Sequence, residues 1–130
     1  MTPLARRSLQ ARFQRVSVGL LSALFVGAGS LHFLRPQMYD SIMPGWVPDA
    51  RAATLLSGAA EIAGGLGLLL PATRTPACWG LLLLLIAVFP ANLNMAQHPE
   101  RYGLPAWVLW ARLPLQPLLM WWVWRSGRRP

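Results

Sequence analysis

Residues 81–89 read LLLLLIAVF. Wound as a helix, this run has no polar face, and water would penalise such a helix in a soluble bundle. It lies in one of four segments with the ~20 apolar residues a helix needs to cross ~30 Å of hydrocarbon. These are residues 16–34, 52–70, 77–96 and 105–124. Lipid does not tolerate irregular backbone, so each segment is expected to be a helix. The expected fold class is all-α, a four-helix transmembrane bundle forming one domain over residues 1–130. Composition points the same way: 12% of the residues are charged, against about 25% in soluble domains.

All twelve basic residues are arginine, and the net charge is +8. On a soluble domain that balance would suggest nucleic acid. Here the arginines sit at the ends of apolar segments, so no nucleic-acid partner is expected. Arg6, Arg7, Arg12, Arg15, Arg74, Arg125, Arg128 and Arg129 fall on one side of the four-span arrangement. Arg35, Arg51 and Arg101 fall on the other, offset by Asp40, Asp49 and Glu100. The positive-inside bias then puts both termini in the cytoplasm. A signal peptide ending near Val26-Gly27-Ala28 is the competing reading of the N-terminus. The apolar run continues past Ala28 to Leu34, and the rest of the chain is also apolar, which favours a span. Seven tryptophans, four of them within residues 110–124, suit an interfacial aromatic belt.

Glu61 interrupts the second span. On a helix it shares a face with Gly58 and Gly65, flanked by Ser57 and Gly64, while Leu55, Ala59, Ile62, Leu66 and Leu69 lie opposite. Small residues let helices approach closely in a bilayer, so Glu61 is expected to point into the bundle and Ile62 toward lipid. The fourth span offers a counter-charge. Arg112 lies ~12 Å from the outer end and Glu61 ~15 Å, by helix rise, and a buried Glu61–Arg112 ion pair is the expectation. The pair either fixes helix register or serves a ligand.

Other polar groups gather in the outer half: His32, Asn92 and Gln116, with Tyr39 and Trp46 in the stiff, proline-rich loop 32–50. The inner half reads as almost wholly apolar, which suggests a pocket open outward. Asn92 and Gln116 suit interhelical hydrogen bonds, and Tyr39 and Trp46 suit interfacial anchors. Pro90 and Pro114 each remove a helical donor. His32, Glu61 and His98 would make a metal site only if Glu61 were unpaired, so none is expected. Gly64 and Gly65 belong to no phosphate-loop pattern. Cys78, the lone cysteine, leaves no intrachain disulfide and no CxxC pair.

The strings HFLRPQMYDSIMPGWVP, SGAAEIAGGLGLLLPATR, AVFPANLNMA and LWARLPLQ resemble the DoxX-like family of small bacterial membrane proteins, across about residues 18–120. The resemblance implies a four-helix membrane fold in the bacterial inner membrane. It also implies an association with quinone-linked oxidoreduction or oxidative-stress assemblies. The expected function is a non-catalytic subunit or accessory factor of such an assembly. The alternative is a site for a quinone or similar amphiphile, built from His32, Tyr39, Asn92 and Arg112, with Glu61 holding Arg112. No haem, flavin or nucleotide motif is present, and no catalytic residue is assigned. Expected partners are membrane lipids, a membrane-associated redox protein and, because four spans enclose little volume, a second copy of the chain. A proton path through Glu61 is a third reading, against which the Arg112 partner argues.

Overall fold

The computed structural model describes residues 1–128; Arg129, counted above among the cytoplasmic arginines, lies outside the described residues. The described chain is helical, with α1 over Pro3–Leu34, α2 over Pro36–Asp40, α3 over Ala50–Leu69, α4 over Arg74–Gln97 and α5 over Ala106–Gly127. A 3₁₀ turn at Pro99–Arg101 joins α4 to α5. Three of the helices, α1, α3 and α4, are long and apolar enough to cross a membrane. Arg112, Gln116, two prolines and the tryptophans keep α5 below that level.

Helix α1 starts thirteen residues before the first apolar segment. Thr2 caps it by accepting from the Ala5 amide at 3.2 Å, and Pro3 occupies the first turn, where a missing N–H costs nothing. Asp49 caps α3 in the same way, accepting from the Ala52 amide at 3.0 Å. At the other end of α3, Arg74 closes the helix: its Nε donates to the Leu68 carbonyl at 2.8 Å. A cation on the last carbonyls also suits the helix dipole.

Helix α3 packs on α1 and α4, and α5 packs on α4 and α1, so α3 and α5 occupy opposite corners. The α1–α3 contact is tight. A Cβ on Gly58 would lie 2.6 Å from His32 Cβ, and one on Gly29 2.6 Å from the Gly58 carbonyl oxygen. A Cβ on Gly29 would also meet Ile62 Cγ1 at 2.8 Å, so Ile62 packs against α1 and does not point away from the bundle as its place opposite Glu61 suggested.

The largest apolar core is at the end of the bundle bearing the termini, where Val18, Leu21, Phe25, Leu68, Leu81 and Val123 meet. That end is not the nearly apolar half expected. Ser17, Ser22 and Ser126 are buried there. Trp122 Nε1 donates to Ser17 Oγ at 3.1 Å, and Gln14 Nε2 donates to the carbonyls of Ser126 at 3.0 Å and Arg128 at 2.6 Å. These bonds tie α1 to α5. The Cys78 thiol is buried and donates to the Val123 carbonyl at 3.5 Å.

Candidate functional site

Toward the distal end, opposite the termini, α1, α2 and α3 bring ionisable groups together. His32 reaches across the glycine contact, its Nε2 lying 3.3 Å from Glu61 Oε2. Both side chains are largely shielded, at 8% and 14% exposure. The other ring nitrogen, Nδ1, lies 2.9 Å from the Thr54 carbonyl oxygen. A carbonyl only accepts, so Nδ1 carries a proton and donates it, which fixes the ring. Nε2 and Oε2 therefore face one another with room for one proton between them. The contact is not a well-aligned hydrogen bond, and Oε2 is buried without a hydrogen-bond partner. The site thus keeps one unsatisfied acceptor inside the bundle, which is costly unless something supplies a donor.

Helix α2 covers this pair. The Tyr39 ring stacks on His32 at 3.8 Å between centroids, tilted by 31°. Tyr39 is therefore a wall of the site and not an outward anchor, whereas Trp46 is 71% exposed. Burial raises the Tyr39 hydroxyl above its ordinary 10.0, with the Glu61 carboxylate pushing the same way and Arg112 opposing. The next residue, Asp40, fastens α2 to α3. Its Oδ1 accepts from Thr54 Oγ1 at 2.6 Å and its Oδ2 from Arg51 Nε at 2.8 Å. The Thr54 bond, followed by the Arg51 contact, holds the Asp40 carboxyl below its ordinary 3.8. Further along the loop, Ile42 is buried, and its carbonyl accepts from Asn94 Nδ2 at 3.0 Å. The Tyr102 hydroxyl donates to the Ser41 carbonyl at 2.9 Å.

The expected Glu61–Arg112 pair is not formed. Among the described residues, the ion pairs are His32–Glu61 and Asp40–Arg51. Arg112 is exposed and donates from Nη1 to Met95 Sδ at 3.3 Å. Matching depth brought Glu61 and Arg112 to similar levels, but α3 and α5 stand at opposite corners, and α1 presents His32 instead.

Asn92 and Gln116 form a separate unit between α4 and α5. Asn92 Nδ2 donates to Gln116 Oε1 at 3.0 Å. Gln116 Nε2 in turn donates to the Leu85 carbonyl, one residue before Ile86, whose carbonyl loses its helical donor to Pro90. His98 turns back onto the Asn94 carbonyl at 2.9 Å. No group of three or more His, Cys, Asp or Glu side chains able to hold a metal occurs among the described residues.

Thr54 and Asp40 are the site residues that sequence reasoning missed. Thr54 shares the face of Gly58, Glu61 and Gly65 at a spacing of four, seven and eleven residues, a pattern that could have marked it. Asp40 carried no signal beyond its charge.

Residues 21–127 match the model of a family described as a domain of unknown function (DUF8561). No curated protein and no solved structure matches the chain.

Proposed function

We propose, from the premise that this chain belongs to DUF8561, that it is an integral membrane protein whose His32–Glu61–Tyr39 cluster binds a small hydrogen-bonding amphiphile of the quinone type. The observation carrying this reading is the His32–Glu61 contact between α1 and α3, with an unsatisfied carboxylate oxygen and a tyrosine ring closing over it. A quinone or quinol head needs a few polar partners in apolar surroundings. Glu61 can accept from a quinol hydroxyl, and the Tyr39 hydroxyl can donate to a carbonyl. The Thr54 carbonyl commits His32 Nδ1, so the ring cannot pass a proton from one nitrogen to the other without breaking that bond. This argues for holding a ligand rather than conducting protons. No group here is a nucleophile set beside a base, so the role is that of a non-catalytic subunit or accessory factor in a redox or stress-related assembly. The DoxX-like motif strings support the same assignment.

The topology we infer has four spans, with both termini cytoplasmic in a bacterial inner membrane. The eight-to-three arginine bias and the antiparallel α4–α5 contact support counting α5 as a span despite its polar residues. Its 22 residues reach ~33 Å.

The test is thermal. A short-chain ubiquinone and its quinol are titrated into the purified chain in lipid–detergent micelles. A ligand selective for the folded state at a hundredfold its Kd adds about 2.7 kcal/mol, so Tm should rise for the wild type and not for Glu61→Gln. An unchanged wild-type Tm with both forms sinks the ligand assignment.

A further inference from the structure

The end of the bundle bearing the termini is rich in arginine and holds no acidic side chain. The chain has four acids: Asp40, Asp49 and Glu100 lie in or beside the distal loops, and Glu61 faces His32. Several arginines at this end are engaged within the chain. Arg74 closes α3, Arg125 lies over the Phe13 ring at 5.6 Å from its centroid, and Arg128 lies over Trp124 at 4.3 Å. Arg12 and Arg15 differ. They are exposed, sit three residues apart on one face of α1, and form no ion pair among the described residues. No acidic side chain of the protein supplies their counter-charge.

Apolar surface adjoins these charges. Arg12 lines a groove of about 500 Å³ together with Leu9, Phe13, Val16, Leu20 and Trp122. The α1 residues recur at steps of three and four, so they form one stripe along the helix. Trp122 of α5 makes the facing wall, and its bond to Ser17 Oγ at 3.1 Å holds the indole in place. A second recess of about 450 Å³ shares Leu9, Arg12 and Val16 with the groove and adds Ser8 and Arg15. Arg12 thus stands between a cationic hollow and an apolar channel. The level is informative too. Gln14 binds the Ser126 and Arg128 carbonyls, so residues 12–15 of α1 lie beside the end of α5, where its apolar run stops. From Arg12 to Leu20 the stripe climbs ~12 Å by helix rise, to the level of the core residues Val18 and Leu21.

We propose that Arg12 and Arg15 hold the phosphate of an anionic phospholipid whose acyl chain lies in the groove against Val16, Leu20 and Trp122. A guanidinium matches two phosphate oxygens as a fork, and basic side chains at the foot of a span attract anionic lipids. The head is anionic rather than zwitterionic because a zwitterion would bring an ammonium to this end, where no acidic side chain receives it. A soluble phosphate or an acidic peptide would leave the apolar channel empty. The inference rests on the membrane reading proposed above.

Native mass spectrometry of the full chain tests it with two probes, dioleoylphosphatidylglycerol and dioleoylphosphatidylethanolamine. They share acyl chains and a phosphate and differ in net charge. The wild type should retain the anionic lipid about tenfold more, the scale of one to two basic side chains at a membrane surface. Arg12→Gln combined with Arg15→Gln should lose that preference. Arg6→Gln combined with Arg7→Gln, an equal change in net charge, should keep it. Equal wild-type retention of the two lipids overturns the proposal, and this comparison needs no variant to fold. So does an equal loss in the two double variants, which would mean diffuse attraction without a site. A phosphatidylglycerol with a diazirine midway along one acyl chain should label Val16, Leu20 or Trp122, and labelling confined to other residues overturns the placement of the chain. Release from membranes by alkaline carbonate brings down the membrane reading and this site with it, whereas retention with equal lipid binding brings down this site alone.

Discussion

His32 has one ring nitrogen bonded to a backbone carbonyl and the other 3.3 Å from the Glu61 carboxylate, so its removal leaves the buried carboxylate without the group that faces it. Breaking a buried pair from one side costs about 3 kcal/mol or more. His32→Ala should therefore lower Tm strongly, and adding Glu61→Gln to it should recover part of the loss, because the stranded charge disappears. A double variant no more stable than His32→Ala alone would show that the two side chains are not coupled. Asp40 offers a pH test. Its folded pKa is depressed by Thr54 and Arg51, so its contribution is present above the ordinary carboxylate value and lost as pH falls through the lower folded one. The Tm gap between the wild type and Asp40→Asn should be constant near neutrality and close below about pH 4. At this scale the sequence was legible in part. Gly58 and Gly65 show which way Glu61 faces, but helical spacing yields a depth and a face, never the identity of the neighbouring helix. That is why Arg112, at a suitable depth on the wrong corner, was paired with it.

The α1–α3 contact depends on glycine at particular positions. A methyl group at Gly58 would meet His32 Cβ and, at 2.9 Å, the Gly29 carbonyl, whereas one at Gly19 would meet nothing within 4 Å. Gly58→Ala should cost about 1–3 kcal/mol through overpacking and disturb the His32–Glu61 geometry. Gly19→Ala should be neutral or stabilising by up to ~1 kcal/mol through helix propensity. Both are read by thermal melts, and equal effects would refute the close approach. The helices themselves were largely readable from apolar length, but their ends were not. Helix α1 runs back to Pro3 because capping and arginine-rich helical propensity extend it beyond its apolar part. Helix α2 escaped notice because five residues are too few for a periodic signal; Pro36 in its first turn was the only local hint.

For the molecule as a whole, the decisive count is three spans or four. Fusing a periplasm-active phosphatase and a cytoplasm-active fluorescent protein to each terminus distinguishes them. Four spans predict fluorescence and no phosphatase activity at both ends, while opposite behaviour at the two ends would mean that α5 lies outside the bilayer. The unbroken course of α1 adds a mechanical corollary. Its 32 residues form a rod of ~48 Å, with four arginines on one end and His32 on the other. Pivoted at its foot, such a rod carries its tip sideways by about 4 Å for a tilt of ~5°, more than the width of the gap between imidazole and carboxylate. Whatever grips the arginine-bearing stalk has a lever on the His32–Glu61 contact at the opposite end of the bundle.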